Sequence, residues 1–242
     1  MRTVRRVPAV RNPSGVTTTL RTANNKFARN YPGDSIGRQP IHTCIGGADA
    51  FTSDAAERAG AEAIAALNLY APTAKAFADA IGLPSNDPRL ADIVRVRVLE
   101  KLAREPVEDY RLDFEDGYGT RPDAEEDGHA ESAALAVAAG MRASTVPPFI
   151  GIRITPMARE LHARSLRTLD IFVTTLAQSS KRLPDNFAVT LCKVMTPEHV
   201  GTVARVCSAL ERKLTLEPKA MRLELMIETQ QSFHQILAGR SR

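Results

Sequence analysis

The chain has 242 residues, 43% hydrophobic and 25% charged, which is the make-up of a globular protein with room for one large domain or two small ones. Its net charge of +4 is unevenly placed, because Arg2, Arg5, Arg6, Arg11, Arg21, Lys26 and Arg29 all precede the first acidic residue, Asp34; the rest is roughly balanced and argues against nucleic acid as a partner. No apolar run approaches the roughly 18 residues that a membrane span needs, and three scattered cysteines, Cys44, Cys192 and Cys207, suit a reducing, cytoplasmic setting better than a disulfide framework or a zinc site.

Residues 1–38 read as a flexible basic arm, interrupted by Pro8 and Pro13 and without apolar periodicity. From residue 39 to 242 short apolar runs alternate with longer helical patterns, the signature of parallel α/β architecture. The first strand is expected over 41–45. Gly46-Gly47 after it could approach a phosphate or make a tight turn, the turn being the simpler reading. An Ala-rich helix should follow Ser53 as N-cap, with Asp54 and Glu57 in its first turn, and a second helix should cover 88–104. Strand two is expected over 110–115, followed by a helix over 124–141, and strand three over 149–154. Thr155-Pro156 then offers a capping hydroxyl and an N1 proline. Residues 169–173 are β-rich in composition, yet Leu161, Leu169, Phe172, Val173 and Leu176 recur at helical spacing, so 157–180 reads as one helix. Strand four falls over 187–194. Thr196-Pro197-Glu198 opens another helix, to about residue 213, and strand five falls over 221–227.

Five such units amount to about five of the eight in a parallel (β/α)8 barrel of the TIM type, which typically needs about 250 residues. The expectation is therefore an incomplete barrel. In such a sheet the chemistry lies at the C-terminal ends of the strands, and side chains alternate with period two. Leu112 and Phe114 share one face of strand two while Arg111, Asp113 and Glu115 share the other. Ile150, Ile152 and Ile154 oppose Gly151, Arg153 and Thr155; Leu223, Leu225 and Ile227 oppose Arg222, Glu224, Met226 and Glu228. With the apolar faces against helices, the ionisable residues Asp113, Glu115, Arg153 and Glu228 point into one central volume, joined by Lys193 from strand four. Charges are costly to bury unless paired or bound to a metal. The pattern therefore reads either as an internal salt-bridge network or as a site that holds a divalent cation and a carboxylate-bearing substrate, oxygen ligands favouring Mg²⁺ over Zn²⁺.

The segment Arg111-Leu112-Asp113-Phe114-Glu115-Asp116 resembles the Asp-Leu-Glu-Asp strand end of the HpcH/HpaI aldolase and citrate lyase beta-subunit superfamily. Gly151-Ile152-Arg153-Ile154 resembles its V-R-V-N strand, Leu191-Cys192-Lys193-Val194 its L-P-K-V, and Leu225-Met226-Ile227-Glu228-Thr229 its L-I-E-T. Four motifs in order cover residues 110–229. The stretches Arg38-Gln39-Pro40-Ile41-His42-Thr43 and Asp113 to Gly119 look closest to an actinobacterial-type branch labelled aldolase or phosphoenolpyruvate kinase. The resemblance implies a phosphoenolpyruvate/pyruvate-type barrel that cleaves a C–C bond in a small 2-oxo or hydroxy acid or its coenzyme A thioester. By the same resemblance Glu228 ligates Mg²⁺, with Mn²⁺ as the alternative. Arg153 holds the substrate carboxylate or enolate oxygen, Glu115 and Asp116 orient water and substrate as catalytic groups, and Asp113 and Lys193 join Arg153 in binding substrate. Cys192 stands where the family has proline. The family's second metal-ligating Asp belongs to a strand after the I-E-T strand, so the chain is expected to be a C-terminally truncated form. Two alternatives stay open: phosphotransfer involving phosphoenolpyruvate, and an inactive fragment or a subunit that needs a separate C-terminal chain or further copies of itself.

Overall fold

The structure is a computed structural model that describes residues 14–33, 36–84 and 88–238. The chain divides between Gln39 and Pro40 into two compact units. The first holds helix α1 (Ser14–Asn30), whose side chains from Thr17 onward are exposed. The stretch read from sequence as a flexible basic arm thus holds a helix: Pro8 and Pro13 both precede α1 in sequence, and no proline lies within it to break the hydrogen-bond ladder. Residues 1–13 of that arm lie outside the described residues.

The second unit is built on a five-stranded sheet, β1 (Thr43–Gly47), β2 (Asp109–Asp113), β3 (Phe149–Ile154), β4 (Phe187–Leu191) and β5 (Arg222–Leu225). The strands lie in the order β1-β2-β3-β4-β5, and every neighbouring pair is parallel. Parallel neighbours need a crossover, and helices supply it: α2 (Ala55–Tyr70), α3 (Ala74–Ile81) and α4 (Pro88–Arg104) after β1, α5 (Asp123–Ala143) after β2, α6 (His162–Ser180) after β3 and α7 (Pro197–Lys213) after β4; α8 (Gln230–Ala238) follows β5. Gly46 and Gly47 are the last two residues of β1, not a turn beyond it.

The apolar faces read from strand alternation are the ones that meet the helices. Leu112, Phe114, Ile150, Ile152, Ile154, Phe187, Val189 and Leu191 are fully buried in one core with Ala130, Ala134 and Val137 of α5 and Leu169, Phe172 and Leu176 of α6. The rings of Phe172 and Phe187 stack at 6.0 Å between centroids, and Phe114 meets Phe172 edge-on at 6.4 Å. Each such large apolar side chain contributes about 1.5–3 kcal/mol on burial. At β5 the cover thins, with Leu225 40% and Ile227 37% exposed.

Residues 169–173 are helical, as their spacing requires, but α6 starts at His162, well after Thr155-Pro156. Thr155 does not cap a helix. Its carbonyl accepts a hydrogen bond from Ser165 Oγ at 2.8 Å, tying the β3 end to the first turn of α6. Helix α3 has no counterpart in the sequence reading, although its signals are local ones: Thr73 Oγ1 accepts from Ala76 N at 3.1 Å, and Gly82 closes it in the left-handed conformation.

Gly151 sits on the same face of β3 as Arg153, opposite Ala188 of β4. A Cβ there would stand 1.9 Å from the Ala188 carbonyl oxygen, a backbone atom that cannot rotate away. Gly151→Ala is therefore expected to destabilise the chain by at least about 2 kcal/mol, read as a lower denaturation midpoint in urea with an unchanged slope.

Candidate active site at the strand ends

In a parallel sheet all C-terminal strand ends lie along one edge. Asp113 closes β2, Arg153 is the next-to-last residue of β3, Lys193 follows β4 by two residues and Glu228 follows β5 by three. The β2–β3 register sets Asp113 directly opposite Arg153 on the same face. Arg153 Nε donates to Asp113 Oδ1 at 2.6 Å and Nη2 to Oδ2 at 2.5 Å, a two-pronged, charge-assisted pair. Hydrogen bonding to Asp113 pushes the guanidinium further above its already high pKa, so Arg153 stays charged.

Asp113 also accepts from Glu115 N at 3.0 Å and from Gly117 N at 2.6 Å. A carboxylate has about four lone-pair positions, and these four donors fill them. Asp113, expected among the substrate-binding residues, accepts from Arg153 on one side and from the 115–117 loop on the other. Gly117 is required there, because a Cβ would come within 2.6 Å of Asp113 Oδ2.

The folded-back loop aims Glu115 and Asp116 at Lys193. Lys193 Nζ is bonded to Glu115 Oε1 and lies 3.0 Å from Asp116 Oδ1, while Arg153 Nη2 stands 3.6 Å from Glu115 Oε2. Glu115 and Arg153 are 7% and 8% exposed, whereas Asp116 and Glu228 lie at the open rim. Strand alternation alone would have sent Lys193 the other way, since Phe187, Val189 and Leu191 face the helices. The backbone decides otherwise: Lys193 has φ 46°, in the left-handed region that non-glycine residues rarely adopt. Its amide donates to Glu228 Oε1 at 2.8 Å, and Thr229 Oγ1 donates to the Val194 carbonyl at 2.9 Å, so the loops after β4 and β5 are tied together. One lysine thus contacts three carboxylates, and those bonds offset a conformational cost of about 1–3 kcal/mol.

Beneath this layer Arg111 Nε donates to Thr190 Oγ1 at 3.0 Å and to Glu224 Oε2 at 3.1 Å, Arg111 Nη1 pairs with Asp109, and Thr190 Oγ1 also donates to Glu224. Asp109 and Thr190 were not identified from sequence. Asp109 shares the parity of Arg111 and Asp113 but fell outside the expected strand boundary; Thr190 was hidden in a strand with few charges. The Cys192 thiol is buried and donates to the Ile154 carbonyl at 3.3 Å. Burial pushes its pKa up to about 12 in spite of Arg153 nearby, so it is a packing residue and not a nucleophile.

Glu115, Asp116 and Glu228 offer hard oxygen donors of the kind Mg²⁺ takes. As placed, however, they do not fit the ion. No group of three or more His, Cys, Asp or Glu side chains among the described residues is arranged to hold a metal, and Lys193 engages all three carboxylates. A cavity of about 460 Å³ lies toward the other end of the strands, between Gly60 and Ile64 of α2 and the segments that lead into β2 and β3. No helix among the described residues is long and apolar enough to cross a membrane.

Fold and site together define a parallel α/β protein with an ionisable cluster at its strand ends. More particularly, the chain belongs to the family described as Domain of unknown function (DUF6986), whose profile matches residues 20–240. Neither a curated protein nor a solved structure matches it.

Removing one member of a buried ion pair leaves the other uncompensated, so Asp113→Ala should cost about 3–5 kcal/mol in equilibrium unfolding. The double variant Asp113→Ala with Arg153→Met should recover part of that loss. At pH 8 a thiol of pKa about 12 is on the order of one part in ten thousand thiolate, so Cys192 should react with a disulfide reagent only on unfolding, as followed by mass spectrometry of the labelled peptide.

Proposed function

We propose that the strand-end cluster is the substrate site of a carbon–carbon lyase of the aldolase and citrate lyase beta-subunit type, acting on a small 2-oxo or hydroxy acid or its coenzyme A thioester. The observation that carries this reading is the meeting of Arg153 and Lys193 with Glu115, Asp116 and Glu228 at the C-terminal ends of four successive parallel strands. Strands in sequential order, each joined to the next by helices, are also the arrangement that the first five units of a (β/α)8 barrel would have, in contrast to the reversed order of a doubly wound sheet.

Arg153 spends Nε and Nη2 on Asp113, and Nη1 has no protein partner among the described residues. That donor suits a substrate carboxylate or 2-oxo oxygen. In the cleavage of a 4-hydroxy-2-oxo acid a base takes the hydroxyl proton and the C–C bond breaks. Its electron pair then passes into the 2-oxo group as an enolate, which is protonated on carbon to release the product. Asp116 is exposed beside Lys193 and is the base of this scheme. Arg153 and Lys193 supply fixed positive charge where the enolate oxygen develops, the kind of preorganised stabilisation worth most in a site shielded from water. No step passes through Mg²⁺ or Mn²⁺, because the carboxylates that would hold the ion are engaged by Lys193.

The test is to incubate the purified chain with a panel of 4-hydroxy-2-oxo acids and short coenzyme A thioesters and to follow product 2-oxo acid or aldehyde. Turnover is expected, with Arg153→Lys lowering kcat/KM by about 100-fold or more while circular dichroism stays unchanged. Turnover untouched by that substitution, or phosphate release from phosphoenolpyruvate without C–C cleavage, would overturn the reading.

A further inference from the structure

The resemblance in the four motifs implies a bound divalent ion, and the side chains as placed do not accommodate one. The reason is a specific residue. Glu115 is buried, and a buried carboxylate without a partner is costly; the Lys193 ammonium is its partner, with Asp116 on the other side of the same Nζ. The Lys193 amide takes Glu228, the residue at which the motif would place the metal. Mg²⁺ needs about six oxygens at about 2.0–2.1 Å in near-octahedral array. To gather Glu115, Asp116 and Glu228 it would have to expel an ammonium from between two of them and leave that charge close by, which like-charge repulsion opposes.

We infer that Lys193 is the built-in cation of this site, so that the chain binds its anionic ligand without a divalent ion, and Mg²⁺ or Mn²⁺ competes with Lys193 for the same carboxylates. The left-handed backbone at Lys193 is what makes this arrangement available. A lysine on regular strand geometry would project toward the helices, and its amide would not face Glu228. Replacing the side chain with a neutral one leaves Asp113, Glu115, Asp116 and Glu228 against Arg153 alone, a surplus of negative charge that attracts a dication. The inference rests on the site geometry; the lyase reading supplies only the identity of the anion.

The experiment uses the full chain and Mn²⁺ as the probe, with the free ion followed by electron paramagnetic resonance. The wild-type chain should leave equimolar Mn²⁺ at about 100 µM essentially free, a concentration far below the millimolar range of weak carboxylate sites. Lys193→Met should bind Mn²⁺ at least about tenfold more tightly, and Lys193→Arg, which keeps the positive charge, should show no such gain. In parallel, pyruvate as the anion probe should bind the wild-type chain equally in EDTA and in excess Mg²⁺, read by ligand-observed NMR. Wild-type Mn²⁺ binding that Glu228→Gln abolishes would overturn the inference, as would a folded Lys193→Met with no gain. Should Lys193→Met fail to fold, the wild-type and Glu228→Gln titrations decide the matter by themselves. Absence of pyruvate binding under both conditions would count against the lyase reading, and the Mn²⁺ titration would still judge the role of Lys193.

Discussion

The pair between Arg153 and Asp113 is the constraint on which the strand-end region depends. Register places the two opposite each other on adjacent parallel strands, and burial in a poorly solvating environment makes either one costly alone. Because Asp113 has four acceptor positions and Arg153 uses only two of them, the same carboxylate also holds the amides of Glu115 and Gly117. Strand pairing, ion pairing and loop shape are therefore coupled through one side chain. The loop in turn presents Glu115 and Asp116 to Lys193, and Lys193 presents its amide to Glu228. Positions separated by more than one hundred residues in sequence are connected by contacts of 2.5 to 3.0 Å.

Such a charged layer needs a rigid support, which the opposite face of the sheet provides. Large apolar residues from β2, β3 and β4 interlock with the alanine-rich face of α5 and the leucines and phenylalanine of α6. Small side chains on α5 suit a close approach of that helix, and the bulk is supplied from the sheet and from α6. A further polar tie runs between the two helices: Glu126 of α5 is fully buried and bonded to Arg164 and Thr168 of α6. Asp113 and Arg153 belong to well-covered strands, whereas the less covered β5 leads to Glu228 at the rim.

Charge placement gives the site a direction. Arg111, Asp109, Thr190 and Glu224 form a closed lower layer in which donors and acceptors meet one another. In the upper layer Arg153 retains one donor without a protein partner among the described residues, and Asp116 and Glu228 face outward. Past the rim carboxylates, an anion at the strand ends would face the charges of Arg153 and Lys193. Cys192, held neutral by burial, adds packing without adding a competing nucleophile.

Much of this was legible in the amino-acid order. Alternation with period two assigned Leu112, Phe114, Ile150, Ile152 and Ile154 to the helix side and Arg111, Asp113 and Arg153 to the other, because a strand's two faces differ only by parity. Helical spacing outweighed β-rich composition at residues 169–173 for the same geometric reason. What parity could not reach were the places where the strand ends. Lys193 enters the site because its φ turns positive, Asp113 gives two of its acceptor positions to the 115–117 loop that folds back onto it, and helix α6 begins at His162 without a side-chain cap from Thr155. Sequence determined which residue types stand at the strand ends; tertiary structure decided which of them remain free to act, since hydrogen-bond saturation depends on neighbours brought together from distant parts of the chain.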